Sequence, residues 1–394
     1  MKTNNNIPAY RFQGYTDAWE LRKLGEVAEI NPKSQIPEKF EYVDLESVVG
    51  TSLISHRTVR AESAPSRAQR LALPGDIFYQ TVRPYQKNNY LFDLSDDNYV
   101  FSTGYAQLRP KIDSRYLMIK IQDDGFVKEV LDRCTGTSYP AINSKDLSQI
   151  SIDVPTSLPE QEAIGTFFST LDRHITLHQR KLDTLKEQKK SYLKLLFPAK
   201  GQTKPALRFQ GFEDDWEEVK LGEVLVEYNK KSEIENQFEL LSSTNSGIEP
   251  RSGRVSGESN IGYKIIKKGM IVLSPQNLWL GNINYNAKFE IGIVSPSYKV
   301  FNINGPNELF LATVLRLPQM FFEYAQASVQ GASIVRRNLD LDLFGSILVQ
   351  LPTLPEQEAI GTFFQTLDQK IAQVEDKLAS LKEMKKTLLR KLFV

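Results

Sequence analysis

The sequence predicts an α/β chain built twice, with a globular domain and then one long helix in each half. Three observations support this prediction. The eleven residues Leu158–Phe168 recur unchanged as Leu354–Phe364. A shorter segment, Pro8–Gly14, returns with one change as Pro205–Gly211. A heptad pattern of apolar residues follows each copy of the longer repeat, and this pattern is typical of helices that pair with one another.

The regions outside the long helices have the pattern of mixed α/β domains. Apolar runs follow a glycine at Gly75–Tyr79 and at Gly269–Leu273, which predicts a turn leading into a buried strand in each domain. The chain divides into five predicted segments: residues 1–155 (first globular domain), 156–197 (first long helix), 198–204 (linker), 205–351 (second globular domain) and 352–394 (second long helix).

Each long helix carries signals for its start. Ser157 precedes Glu160 by three residues, and Thr353 precedes Glu356 in the same way, which predicts a capping box at both sites. A proline stands early in each helix, where its missing N–H costs nothing. At 1.5 Å per residue, each helix of about 38 residues is roughly 57 Å long.

One face of each long helix forms an apolar seam with alternating spacings of four and three. This spacing predicts that the two helices pack antiparallel, about a pseudo-two-fold axis, as a coiled coil. Pairing with another chain is the alternative. Lys189 and Lys385 interrupt the seam at matching positions, and we expect both to extend their ammonium groups into solvent. The seam residues are Leu171, Ile175, His178, Leu182, Leu185, Tyr192, Leu196, Leu367, Ile371, Val374, Leu378, Leu381, Leu388 and Leu392.

Composition limits the possible partners and the compartment. The chain has 394 residues, enough for two to three domains, and a formal net charge of only +1. A basic surface over a whole domain is therefore not expected, and any nucleic-acid contact must come from local patches or a charged partner. We find no apolar run long enough to span a membrane, no signal sequence and a single cysteine, Cys134. These features predict a cytoplasmic protein without membrane attachment.

Motifs of catalysis are missing from the sequence. Neither the Asn/Asp-Pro-Pro-aromatic loop of adenine methylases nor a nucleotide-binding P-loop occurs. His174 and His178 have a spacing that metal ligands use on helices, but the second helix has Lys370 and Val374 there and no third ligand follows. We predict a chain with no metal and no catalytic residues.

The repeats resemble those of the specificity (S) subunit of type I restriction–modification systems. The resemblance rests on the Pro-Glu-Gln sequences that open the two long helices, at 159–161 and 355–357, each followed by Ala-Ile and later by Leu-Asp. It also rests on Trp19 with Leu24-Gly25-Glu26 and on Trp216 with Leu221-Gly222-Glu223. The resemblance covers essentially the full chain, and the combination of both duplicated motifs is more specific than either alone.

The resemblance implies a non-catalytic DNA-binding subunit. In that family two target-recognition domains each read one half of a bipartite site in double-stranded DNA. The paired helices set the spacing between the half-sites and dock two methyltransferase (M) subunits, and restriction (R) subunits join through that complex. S-adenosylmethionine, ATP and Mg would then belong to the partner subunits, with no cofactor in this chain. The near-identical helices fit two copies of one partner. The divergent globular domains fit two different half-sites.

Base-reading residues must be polar or basic and must lie on loops that can enter a groove. The candidates in the first domain are Gln80, Thr81, Arg83, Gln86, Lys87, Asn88, Thr137, Ser138 and Tyr139. Those in the second domain are Ser274, Gln276, Asn277, Trp279, Asn282, Ser333, Arg336 and Arg337. Candidate phosphate contacts are Arg57, Arg60, Arg67, Arg70, Arg251, Arg254 and Lys264.

Two other classes of function compete with DNA reading. A coiled-coil scaffold would bind protein partners without contacting bases, so substitutions in the candidate loops would leave DNA specificity unchanged. A nuclease or methylase acting on its own would form product with S-adenosylmethionine or Mg²⁺ in the absence of any other subunit.

Overall fold

The computed structural model describes residues 8, 10–136, 138–199, 201–251, 259–330 and 337–393, except the side chains of residues 329 and 330. Contacts divide the chain into two compact units. Unit 1 contains residues 1–180 and 376–394, and unit 2 contains residues 181–375. Each unit therefore holds one globular region and a part of each long helix.

The first half of the chain has twelve strands, four short helices, two 3-10 turns and one long helix among its described residues. The strands are β1 (Glu20–Lys23), β2 (Ala28–Ile30), β3 (Lys39–Val43), β4 (Val48–Val49), β5 (Ser52–Leu53), β6 (Arg57–Arg60), β7 (Ala68–Leu71), β8 (Ile77–Gln80), β9 (Tyr90–Leu91), β10 (Tyr99–Ser102), β11 (Tyr105–Pro110) and β12 (Ser151–Val154). The helices are α1 (Leu24–Val27), α2 (Ser114–Lys120), α3 (Asp124–Asp132), α4 (Ser144–Ser148) and the long α5 (Leu158–Leu195); the 3-10 turns are Ala61–Ser63 and Pro84–Gln86.

The second half repeats this order with small changes. Its described strands are β13 (Glu217–Lys220), β14 (Leu225–Glu227), β15 (Leu241–Ser243), β16 (Ile248–Pro250), β17 (Lys264–Lys267), β18 (Ile271–Leu273), β19 (Ile283–Tyr285), β20 (Ile291–Val294), β21 (Lys299–Ile303), β22 (Ser328–Gln330), β23 (Arg337–Leu339) and β24 (Leu348–Leu351). The helices are α6 (Leu221–Val224), α7 (Glu308–Val314), α8 (Pro318–Gln326), α9 (Leu341–Ser346) and the long α10 (Leu354–Leu392); a 3-10 turn covers Leu278–Leu280.

The sheets of the two units correspond. In unit 1, β1 pairs with β12, and a four-stranded antiparallel sheet has the order β2-β11-β8-β9. In unit 2, β13 pairs with β24, and the matching sheet has the order β14-β21-β18-β19. Unit 1 also has a sheet β6-β3-β10-β7, in which only β10 and β3 run parallel. Both globular regions are thus mixed α/β, as predicted.

Most residues of the repeated motif at the start of each long helix contact the globular region of the same unit. We call this set of contacts the joint. Glu160 is fully buried and accepts hydrogen bonds from Arg11 at 2.6 and 2.8 Å. The next residue, Gln161, accepts from the backbone N–H of Asp113 at 3.1 Å and donates to the carbonyl of Pro155 at 2.7 Å. These contacts tie the start of α5 to α2 and to the end of β12.

Unit 2 builds the same joint from the second copy. Glu356 binds Arg208 at 2.8 and 2.7 Å, and Gln357 binds Asn307 N at 2.9 Å and Pro352 O at 2.7 Å. The prediction that Glu160 and Glu356 complete capping boxes is therefore wrong. Both carboxylates are bound by an arginine roughly 150 residues earlier in the chain rather than by the helix N-terminus.

The long helices pair antiparallel within each unit, as predicted. In unit 1, Leu171 of α5 belongs to the same buried cluster as Leu381 and Leu392 of α10, and all three are at least nine-tenths buried. In unit 2, Tyr192 of α5 packs against Phe363 of α10, with ring centroids 5.0 Å apart. Every seam residue is buried or partly buried, and the residues between the seam positions of α10 are mostly exposed.

The prediction that the two seam lysines extend into solvent is wrong, because both form ion pairs. Lys385 Nζ lies 2.5 Å from Asp172 of the opposing helix in unit 1. Lys189 Nζ lies 2.5 Å from Asp368 in unit 2. Each interruption of the apolar seam therefore forms an ion pair between the helices, with the aspartate of the repeated Leu-Asp sequence.

Candidate nucleic-acid interface

The first candidate surface in unit 1 is built from two segments that the backbone joins. The loop after β8 contains the 3-10 turn Pro84–Gln86, and the segment before α4 lies beside it. Arg83 N–H donates to Pro140 O at 2.8 Å, and Ile142 N–H donates to Thr81 O at 3.1 Å. These two bonds bring residues more than fifty positions apart into one surface.

Arg83 and Tyr139 meet across these two segments. The Arg83 guanidinium carbon lies 4.3 Å from the centroid of the Tyr139 ring, in cation–π geometry. The Tyr139 side chain is 63% exposed, and Ser138 beside it is also exposed. Arg83 has φ 56° and ψ 54°, a left-handed conformation that few residues other than glycine adopt.

Several neighbouring candidates hold the loop in shape instead of facing outward. Gln80 is only 2% exposed and its side-chain amide donates to Gln86 Oε1 at 2.8 Å, and its role in base reading stays a prediction. Thr81 Oγ1 donates to Gly104 O at 2.8 Å. Asn88 Oδ1 accepts from Gly50 N–H at 2.9 Å. Gln86 remains exposed, and Thr137 lies outside the described residues.

A cluster of positive charge adjoins this loop. Lys87 Nζ contacts Asp124 Oδ1 at 2.5 Å and Gln122 O at 2.8 Å. This ammonium group holds the pKa of the Asp124 carboxyl below its usual value, and the charges of Arg390 and Lys386 act in the same direction. Lys386 and Arg390 are both exposed on α10. Lys87 therefore pairs with this carboxylate at the edge of the candidate surface, and Lys386 and Arg390 act on it electrostatically.

Sequence reasoning missed Lys386 and Arg390. Their spacing of four on a helix, off the apolar seam, is a signal that they share one face. That spacing does not show which part of the globular region the face acts on, because the electrostatic effect on Asp124 depends on the fold of that region.

The arginine candidates for phosphate contact in unit 1 differ in their exposure. Arg57, Arg60 and Arg67 are exposed, and Arg57 lies over the ring of Tyr42 at 5.2 Å. Arg70 is partly buried, and burial lowers its pKa from the usual value. Arg57, Arg60 and Arg67 are thus the more accessible members of the set.

The equivalent surface of unit 2 also joins two segments. The loop after β18 contains the 3-10 turn Leu278–Leu280, and Arg337 N–H of β23 donates to Gln276 O of this loop at 3.4 Å. The Arg337 guanidinium carbon lies 4.5 Å from the centroid of the Trp279 ring. Gln276 is exposed and Asn277 is partly buried.

Three candidates in unit 2 face inward, and their roles in DNA contact stay predictions. Asn282 is 6% exposed and exchanges hydrogen bonds with Ser243 at 2.7 and 2.9 Å. Ser274 is also buried, and its N–H donates to Asn282 O at 3.0 Å. Lys264 is buried 3.7 Å from Glu227, and burial lowers its pKa.

Of four further candidates in unit 2, the structure describes one, Arg251. Arg251 is partly buried, and its N–H donates to Leu240 O at 2.9 Å. Ser333, Arg336 and Arg254 lie outside the described residues.

The described residues show no cluster of three or more His, Cys, Asp or Glu side chains that could hold a metal ion. His178 Nδ1 contacts the carbonyl of His174 at 2.8 Å, within the same helix. No described helix is long and apolar enough to cross a membrane.

Comparison with known proteins identifies the family. The model described as type I restriction modification DNA specificity domain matches residues 16–187 and 213–383. The chain is 24% identical over 329 residues to the type I restriction enzyme MjaVIII specificity subunit of Methanocaldococcus jannaschii, covering 74% of this chain and 72% of that protein.

Two solved structures share the fold. The S subunit of a type I restriction–modification system from M. genitalium superposes with a TM-score of 0.65 at 18% identity, covering 98% of this chain and 99% of that one. A chain from a structure of type I R-M complex assembly and conformational transition gives a TM-score of 0.50 at 20% identity, covering 95% and 97%. Because the family model matches most of both halves, this chain belongs to the type I restriction–modification DNA specificity family and carries two copies of its domain.

Proposed function

We propose that this chain is the non-catalytic, DNA-reading subunit of a type I restriction–modification complex, in which each globular region reads one half of a bipartite site. One observation carries the proposal. The residues that the two halves share build the joint and the helix seam, whereas the exposed loops around Arg83 and Trp279 differ between the halves. A constant frame with two different reading surfaces suits a target made of two different half-sites.

The paired helices α5 and α10 then set the spacing between half-sites. Ion pairs fix their register in each unit, with Lys385 on Asp172 and Lys189 on Asp368. A fixed register gives a fixed spacer, so insertions into the helices should change the spacer of the recognised site.

Docking of two methyltransferase subunits would use the repeated residues that remain exposed in both copies. Most of the motif is turned toward its own globular region, but Leu158 is 53% exposed and Leu354 is 58% exposed. The repeated motif residues exposed in both copies are Leu158, Pro159, Glu162 and Thr166 on α5, with Leu354, Pro355, Glu358 and Thr362 on α10. An exposed leucine in the first turn of both helices fits an apolar contact with two copies of one partner.

The proposal assigns S-adenosylmethionine, ATP and Mg²⁺ chemistry to the partner subunits, and cleavage to restriction subunits that join the complex. Co-expression with a methyltransferase subunit tests it. The expected product is a complex with two methyltransferase copies that methylates adenine in a bipartite sequence. Methyl transfer by the isolated chain, or methylation that ignores sequence, would contradict the proposal.

Leu158→Ser and Leu354→Ser test the docking surface. Each single variant should weaken one of two methyltransferase positions, measured as complex mass by light scattering. Retention of two methyltransferase copies in the double variant would show that these leucines are not part of the contact.

A further inference from the structure

An arginine stacked on an aromatic ring joins the same two segments in both units, but the two units exchange the positions of the partners. In unit 1 the arginine, Arg83, comes from the loop after β8 and the ring, Tyr139, comes from the segment before α4. In unit 2 the ring, Trp279, comes from the loop after β18 and the arginine, Arg337, comes from the segment before α9.

The backbone shows that these loops are equivalent. Each first loop forms a 3-10 turn that ends on a left-handed residue, Lys87 with φ 56° and Gly281 with φ 90°. Each first loop is also bonded through its backbone to the second segment, by Arg83 N–Pro140 O and by Arg337 N–Gln276 O. The arginine–aromatic stack is therefore equivalent in the two units, but the arginine and the aromatic residue have exchanged segments.

Arg83 is held in place but not neutralised. Its guanidinium makes no hydrogen bond or ion pair with another described residue, although it lies 4.3 Å from the Tyr139 ring. Its left-handed backbone is energetically unfavourable for a non-glycine residue, and such conformations occur preferentially at functional sites. The fold thus maintains an unfavourable backbone conformation that directs an unpaired arginine onto an exposed ring.

Stacking determines which DNA groups suit this arginine. An aromatic face fixes the plane of a guanidinium and leaves its in-plane N–H donors free. Guanine presents two acceptors, O6 and N7, in one plane at the major-groove edge, and arginine binds both at once. A phosphate contact does not require a fixed plane, because lysine can also make it as a point charge.

We propose that Arg83 reads a guanine in the first half-site and that Arg337 reads a guanine in the second, with Tyr139 and Trp279 as positioning residues. This inference rests on the proposed function. Arg337 is the more constrained of the two, since its Nη1 also donates to Ala325 O at 3.3 Å.

Sequencing of methylated adenines in cells that carry the chain with its methyltransferase subunits tests the proposal. Arg83→Lys keeps the charge and loses the paired donors, so discrimination at one guanine of the first half-site should fall by about 5- to 150-fold. The second half-site should be unchanged. Arg337→Lys should give the mirror result, so each half-site is the internal control for the other.

Matched variants separate positioning from charge. Arg22 of β1 is an exposed arginine outside both loops and pairs with Glu26, so Arg22→Lys should leave both half-sites unchanged. Tyr139→Phe keeps the ring and should keep the motif, whereas Tyr139→Ala should relax it at the same guanine as Arg83→Lys.

Unmodified protein provides a test that needs no variant. DNA with 7-deazaguanine in place of the guanine loses the N7 acceptor, and methylation of that site by the intact complex should fall. An unchanged motif in Arg83→Lys, or full methylation of every 7-deazaguanine substrate, would overturn the inference. So would a uniform loss of methylation with an unaltered motif, since that marks a phosphate contact. If the unaltered chain directed no bipartite methylation at all, the proposed function itself would fail.

Discussion

Arg11 and Glu160 form a two-point ion pair, with Nε–Oε1 at 2.6 Å and Nη2–Oε2 at 2.8 Å, across 149 positions of sequence. Glu160 is fully buried, and the Arg11 side chain is 10% exposed. Trp19 Nε1 donates to the same carboxylate at 3.3 Å. The pair therefore anchors the N-terminal segment to the first turn of α5, and Arg208 with Glu356 repeats the anchor in unit 2.

Removing one member of this pair should destabilise unit 1 strongly. Arg11→Ala leaves the Glu160 carboxylate buried without its cation, and we expect a loss of about 3–5 kcal/mol in the free energy of unfolding. Urea denaturation of the full chain measures this loss. Arg22→Ala removes an exposed ion pair with Glu26 and should have no measurable effect. Equal stability of the Arg11→Ala variant and the unaltered chain would show that the anchor contributes nothing.

Gly165 should not tolerate a side chain. A Cβ at this position would lie 2.6 Å from Asp113 Oδ1, 2.7 Å from Arg115 Cβ and 2.8 Å from Tyr116 N. Gly165→Ala should therefore cost about 1–3 kcal/mol, because α5 must move away from α2. Thermal unfolding reports the change. Gly345→Ala is the control, since its Cβ would meet nothing closer than 3.7 Å and the substitution favours a helix.

The interhelical ion pairs should differ in strength according to their exposure. Lys385 and Asp172 are 20% and 23% exposed, whereas Lys189 and Asp368 are 32% and 53% exposed. A double-mutant cycle with Lys385→Gln and Asp172→Asn should give a coupling of about 0.5–1 kcal/mol. The corresponding cycle in unit 2 should give less, because solvent screens that pair more. A larger coupling in unit 2 would contradict this ranking.

Lys386 and Arg390 should strengthen DNA binding without affecting sequence choice. Both are exposed on α10, and the charge of each lowers the pKa of Asp124 at the edge of the candidate surface. If each contacts a phosphate, each alanine substitution should reduce the slope of log affinity against log salt by about 1. Fluorescence anisotropy of the methyltransferase complex over a salt series measures the slope. Lys382→Ala, in the turn before them, is the control because Lys382 faces Gln179 of α5.

The long helices and their pairing could be predicted from sequence because their signals are local. The seam residues repeat at the helical period, and prolines mark the first turn of each helix. The buried strands after Gly75 and Gly269 followed from short apolar runs. Each of these features depends on residues that are close together in the chain.

The joint and the reading surface could not be predicted in the same way, because they depend on contacts distant in sequence. Glu160 fits a local capping motif, but burial beside Arg11 determines its partner. Gln80 and Asn282 are polar residues in turn-rich loops, and the sequence does not show that both turn inward to hold those loops. Arg83 and Tyr139 were both candidates, but only the backbone bond from Arg83 to Pro140 places them in contact.

The exchanged stack has a consequence for how such proteins are compared. An alignment of the two halves on Gly75 and Gly269 sets Arg83 opposite Asn277 and sets Trp279 opposite Tyr85. No column of that alignment contains two arginines from the stack, and the aromatic residue opposite Trp279 is Tyr85 rather than Tyr139, so a column-by-column comparison would miss the exchanged stack. Relatives of this chain should instead be compared by the pair of loops, scored as one arginine and one aromatic residue in either order.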